Sequence, residues 1–253
     1  MLSGTNDESI TIGLDDLENR CKEFHERGCR AAKWRAVFKI DESKIDASPS
    51  TLAMDENAHT LARYAKCCQE NGLVPIVEPE VLLDGNYSIE ITAKATEKVL
   101  SKVFGALIDH DVCLENILLK PNMIRSGSAA KLQATPTEVG EYTFAVLQRT
   151  VPIAIGGIFF LSGGMSENHA TECLNEINKV AMRKWCGVKP WHLSFSFGRA
   201  LQKSCLAEWN GRDEAKFVNN AKKTLFFRAK ANSLATMGNY HRDFESKEES
   251  KIG

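Results

Sequence analysis

Apolar positions along the chain fall into two rhythms that take turns. Leu14, Leu17, Cys21 and Phe24 recur at intervals of three or four residues, the spacing of one helix face, and Gly28 closes that helix. The run AAKWRAVFKI (31–40) then changes to strand character. Ser48 followed by Pro49 reads as an N-cap and first turn, opening a helix that extends to about Gly72. GLVPIVEPE (72–80) is a second strand, a helix over roughly 88–110 follows, and NILLK (116–120) is a third strand. Thr135, Pro136, Thr137 and Glu138 carry a capping-box signature, and the helix they open ends before Pro152. AIGGIFFL (154–161) is a fourth strand, Gly163 and Gly164 form a turn, and a helix starts near Ser166. HLSFSF (192–197) is the last strand, with helices rich in Ala, Lys and Leu after it. The charged tail HRDFESKEESKIG (241–253) is expected to be mobile, leaving residues 1–240 as one domain.

Strict alternation of this kind implies parallel strands joined by crossover helices, hence an α/β fold. A chain of 253 residues has the length of a (β/α)8 TIM barrel, typically about 250 residues, yet its five visible strands fall three short. The expected fold is therefore an incomplete barrel of about five parallel strands with flanking helices.

Composition narrows the function classes. A hydrophobic share of 43% and a charged share of 26% describe an ordinary soluble globular protein. The net charge of −1 supplies no global field for nucleic acid or an anionic membrane, so any basic site is local. The start, MLSGTNDESI, is polar and acidic where a secretory signal is basic and then apolar. The longest mainly apolar run, 153–161, is too short to span a bilayer. These features imply a soluble cytoplasmic chain. Eight cysteines without C-x-x-C spacing read as reduced thiols, and six scattered histidines suggest no metal cluster.

Candidate chemistry sits at the strand ends. Side chains alternate faces along a strand, so Lys33 and Arg35 share a face of the first and Glu78 and Glu80 share a face of the second. Lys120 closes the third strand against Pro121, Ser162 closes the fourth before the glycine turn, and Ser194 and Ser196 lie on one face of the fifth, with Gly198 and Arg199 beyond. All lie toward the C-terminal ends, where parallel α/β folds build active sites. An amine such as that of Lys120 attacks a carbonyl when unprotonated, and a neighbouring cation such as Lys33 disfavours a second positive charge. A paired carboxylate can shuttle the protons needed to form an imine, which then acts as electron sink for breaking a C–C bond. The Ser162–Gly163–Gly164 turn with Arg199 suits a phosphate. The implied substrate is a phosphorylated ketose. Taken singly, each group has a plainer use: Glu78 and Glu80 equally fit structural ion pairs with Lys33 and Arg35, and a Ser-Gly-Gly turn commonly just links strand to helix.

The segments AKWR (32–35), VPIVEPE (74–80), LLKPNM (118–123), FLSGG (160–164) and SFGRALQ (196–202) together resemble the class I, Schiff-base fructose-1,6-bisphosphate aldolases. The likeness covers nearly the whole chain. It implies reversible aldol cleavage of fructose 1,6-bisphosphate to dihydroxyacetone phosphate and glyceraldehyde 3-phosphate, in glycolysis and gluconeogenesis, without metal or other cofactor. By that resemblance Lys120 is the Schiff-base lysine, Glu78 the principal proton donor and acceptor, and Glu80 and Lys33 its charged supports. Ser162, Gly163, Gly164, Ser196, Gly198 and Arg199 hold one phosphate, and Lys33 and Arg35 serve the rest of the substrate. Family members are cytosolic homotetramers, and some also bind actin. The resemblance also implies that about three N-terminal βα units of the family barrel are missing here, together with an aspartate, a lysine and serines that those units carry. The family's C-terminal tyrosine has no counterpart, the last tyrosine being Tyr240. A catalytically inactive aldolase-like binding or scaffold protein is the alternative reading.

Overall fold

A computed structural model describes residues 1–244. The part of the expected tail at 245–253 lies outside them, while Arg242 bonds to Glu172 and Phe244 stacks on Phe227. Strands β1 (Ala31–Phe38), β2 (Val74–Val81), β3 (Leu118–Leu119), β4 (Gly157–Phe160) and β5 (Leu193–Phe195) form one parallel sheet in the order β1-β2-β3-β4-β5. Helices α2 (Thr51–Glu70), α3 (Ile89–Asp109), α4 (Pro136–Thr150) and α5 (Glu167–Lys184) make the four crossovers. Since each strand pairs with the next in sequence and crossovers share one hand, the helices collect on one face of the sheet and pack neighbour to neighbour. That is the winding of a barrel wall. Among the described residues the wall stays open, with β1 and β5 as its edges. Helix α1 (Leu17–Glu26) precedes β1, and α6 (Arg199–Trp209) and α7 (Ala215–Thr236) close the chain against α5.

The core follows the period-two rule. Trp34, Ala36 and Phe38 of β1 are buried toward α2, whose Leu61, Tyr64, Ala65 and Cys68 face them, while Lys33 and Arg35 point to the open face. Thr135 and Glu138 form the expected reciprocal capping box at the start of α4.

Three expectations need correction. Ser48 does not cap α2: the cap is Ser50, whose hydroxyl accepts from Ala53 N, whereas the Ser48 hydroxyl accepts from Asp41 N. The same Ser-Pro signature is shifted by two residues because a second serine follows the proline. The apolar stripe of α1 is also shorter than its spacing suggests. Leu14 precedes the helix, Leu17 and Cys21 are buried, and Phe24 is exposed. The expected strand NILLK contracts to Leu118–Leu119, because residues 114–116 wind into a 3-10 turn and Pro121 lacks the N–H that would continue the ladder. All eight cysteines are free thiols.

Candidate active site

The site is built where β1, β2 and β3 end. On β1 and β2 the residue partners are Lys33 with Ile76 and Arg35 with Glu78. Each basic side chain therefore reaches a glutamate two places further along the neighbouring strand. Lys33 Nζ lies 2.7 Å from Glu78 Oε2, and Arg35 Nε donates to Glu80 Oε2 at 2.6 Å. The third member arrives from beyond β3. Lys120 donates its backbone N–H to Val77 O at 2.8 Å, which carries the chain past Pro121 in strand-like register, and its Nζ stands 3.2 Å from Glu78 Oε1. Two lysines thus flank the two oxygens of one carboxylate.

Burial ranks them. The Glu78 side chain is 5% exposed, that of Lys120 13% and that of Lys33 44%. The Lys33 contact is ionic without hydrogen-bond alignment, and Glu78 Oε2 has no hydrogen-bond partner among the described residues. Buried carboxylates usually spend their oxygens on hydrogen-bond donors, whereas Glu78 meets the two amines as ionic contacts alone.

The backbone after Lys120 is pinned on both sides. Asn122 Oδ1 accepts from Val81 N at 2.9 Å on the β2 side, and Leu161 N donates to Pro121 O at 3.0 Å on the β4 side. A cavity of about 450 Å³ opens over these strand ends, lined among others by Arg35, Glu80, Arg125, Gly163, Gly164 and Arg199. It adjoins the lysine cluster through the chain: Glu80 and Asn122, both on its wall, lie two residues beyond Glu78 and Lys120.

The remaining sequence candidates divide. Gly163 (φ 49°) and Gly164 (φ 79°) adopt the left-handed conformation that bends β4 toward α5. Ser162 is buried and closes this turn by accepting Met165 N on its carbonyl at 3.0 Å. Ser196 donates its N–H to Phe160 O at 2.9 Å just past β5, and Gly198 is the N-cap of α6. Ser162, Ser196 and Gly198 do not border the cavity, whereas Arg199 does. Periodicity missed Arg125 and Asn122, because the segment 120–127 has no regular period; the only signal was their position just after LLKP. Gly163→Ala would force an alanine into a left-handed conformation, costing roughly 1–2 kcal/mol. Thermal unfolding is expected to register it as a drop of a few degrees.

Among the described residues no group of three or more His, Cys, Asp or Glu is arranged to hold a metal ion, and no helix is long and apolar enough to cross a membrane. The arrangement offers a sheltered amine, a buried carboxylate and an arginine-lined cavity.

Comparison with known proteins identifies the family. The family described as fructose-bisphosphate aldolase class-I matches residues 1–252. Fructose-bisphosphate aldolase of Dictyostelium discoideum is 53% identical over 239 residues, covering 94% of this chain and 64% of its own. The cytosolic fructose-bisphosphate aldolase 4 of Arabidopsis thaliana is 52% identical over 242 residues, covering 96% of this chain and 59% of its own. The solved structure of fructose-bisphosphate aldolase from Plasmodium falciparum, in complex with TRAP and a small-molecule inhibitor, superposes with a TM-score of 0.89 at 50% identity, covering 95% of this chain and 66% of that one. The chain therefore spans about two thirds or less of the length of these relatives. With the family model matching residues 1–252 and relatives more than 50% identical over nearly all of it, the chain belongs to the class I fructose-bisphosphate aldolase family.

Proposed function

We propose that the chain carries the imine-forming centre of a fructose-1,6-bisphosphate aldolase, a lyase of the cytosol, as its relatives named cytosolic isozymes suggest. The observation that carries the reading is the contact of Lys120 and Lys33 with opposite oxygens of the buried Glu78.

Lys120 is the nucleophile of the two because its side chain is the more sheltered. Lys33 reaches water, where its ammonium is well solvated, while Lys120 sits at the sheet's centre with its amine against a carboxylate that can accept a proton. The neutral amine adds to the C2 ketone of the sugar phosphate, giving a carbinolamine. Glu78 protonates the departing hydroxyl, water leaves, and the iminium forms. Removal of the proton on the C4 hydroxyl lets the C3–C4 bond break, its electron pair moving into the iminium as an enamine while the aldehyde product departs. Protonation of the enamine carbon and addition of water regenerate Lys120 and release the ketone. Glu80, paired to Arg35, forms the guanidinium-carboxylate link of the wall and keeps Arg35 directed along the cavity. The arginine-lined cavity suits the phosphate ends, and no metal is invoked in any step.

The test is reduction with borohydride in the presence of dihydroxyacetone phosphate, with peptide mass spectrometry to locate the product. A single adduct on Lys120 is the expected result. A folded sample that gives none, or one whose label maps to Lys33, would rule the assignment out.

A further inference from the structure

The segment that follows β3 brings a guanidinium to the cavity that the Lys33, Glu78 and Lys120 cluster does not use. Arg125 is half-buried and donates through Nη2 to the Gly163 carbonyl at 2.8 Å. Among the described residues this is its one hydrogen bond, and no carboxylate lies within ion-pair distance of it. A guanidinium has five N–H donors, so most of its hydrogen-bonding capacity is unspent. Its neighbours do not supply the missing charge. Burial, helped by Arg125 itself, holds the His169 imidazole below its ordinary value, and burial pushes the Cys173 thiol up to about 12, so both stay neutral at pH 7. A partly buried, unpaired cation of this kind is costly unless an anion joins it.

The glycine turn indicates where that anion would sit. A Cβ added to Gly163 would stand 3.7 Å from Arg125 Nη2, and a Cβ added to Gly164 would stand 3.9 Å from Arg199 Nη2. Consecutive glycines thus each have an arginine tip against them, and all four residues border the same cavity. Arg199 likewise has no ion-pair or hydrogen-bond partner among the described residues. Of the two carboxylates on the cavity wall, Glu80 is committed to Arg35, which leaves Asp84 against two arginines. Local charge is positive, and the absence of side chains at 163 and 164 keeps the space between the two guanidiniums clear.

We propose that Arg125 is a second phosphate-binding, specificity-determining arginine: together with Arg199 it grips a phosphate monoester seated against the Gly163–Gly164 turn, while its bond to the Gly163 carbonyl holds the turn in shape. The identity of the ester as a sugar phosphate rests on the aldolase reading above; the binding of phosphate does not. Guanidinium and phosphate match as planar fork and tetrahedral oxygens, so a pair of arginines discriminates sharply between a phosphorylated and an unphosphorylated ketone.

Two measurements on the full chain separate the claims. Calorimetric titration with inorganic phosphate is expected to give an affinity about tenfold weaker in Arg125→Gln than in the unsubstituted chain, with Arg125→Lys in between, since lysine restores the charge but not the fork. In borohydride trapping, the preference for dihydroxyacetone phosphate over dihydroxyacetone is expected to shrink about tenfold in Arg125→Gln. Unchanged phosphate affinity, or an equal loss of trapping with both ketones, would overturn the proposal by reducing Arg125 to a prop for the turn. Phosphate binding that depends on Arg125 in a chain that traps neither ketone would uphold it while sinking the imine reading. Should Arg125→Gln not fold, Arg125→Lys decides: phosphate affinity equal to that of the unsubstituted chain contradicts the forked grip.

Discussion

Lys120→Arg eliminates the borohydride-trapped adduct while the chain remains folded. An arginine keeps the positive charge and can bond the Glu78 carboxylate through two N–H groups, so the ion pair at the base of the site survives. It does not lose its proton in a protein, and its nitrogens are tied up in a delocalised system, so it cannot add to a ketone. Every later step needs the iminium, so cleavage activity is expected to fall by on the order of 10⁶, the scale seen when a covalent nucleophile is removed. The check pairs trapping with circular dichroism: intact secondary structure and no adduct. An adduct that persists in the folded variant would mean that the electrophile is captured elsewhere, with Lys33 the first suspect, since it shares Glu78.

Much of this site was legible because strands enforce a period of two. Once AKWR and VEPE are read as strands, Lys33 and Arg35 must emerge on one face, and Glu78 and Glu80 on one face of the neighbour. The parallel register then turns four separate residues into two diagonal ion pairs. Structural pairing and proton transfer, which the sequence left open for these glutamates, are not exclusive. Among the described residues Glu80 has only Arg35 to bind, whereas Glu78 has a second amine against its other oxygen. What set them apart was Lys120, whose reach depends on how the chain passes Pro121, a detail fixed by Asn122 and by the Leu161 to Pro121 bond rather than by any pattern. Arg125 escaped for the same reason: it belongs to irregular backbone held by side-chain bonds, where neither period applies. The misplaced cap at Ser48 has a related cause, because the sequence there offers two serines around one proline and only the tertiary bond from Asp41 N to Ser48 decides between them.

Glu78→Gln is expected to damage both chemistry and fold, by different routes. Glutamine keeps the shape and an acceptor but can neither carry a charge nor release a proton. The steps that remove water from the carbinolamine and move the proton during cleavage lose their carrier, and general acid–base groups of this kind contribute about 10²- to 10⁴-fold. The fold suffers because two ammonium groups lose one shared counter-charge. Breaking a fully buried ion pair costs about 3–5 kcal/mol, but Lys33 is nearly half exposed and can turn to water, so the loss here belongs near 2 kcal/mol. The two effects separate by temperature and by probe. Unfolding in urea is expected to give a lower midpoint with an unchanged slope, which marks lost stability rather than a changed denatured state. Well below that midpoint, the folded variant is expected to form the imine slowly while still binding inorganic phosphate at the arginine-lined cavity. Imine formation at the rate of the unsubstituted chain would show that water, or Glu80, carries the protons, and Glu78 would then be only the anchor that keeps Lys120 in place.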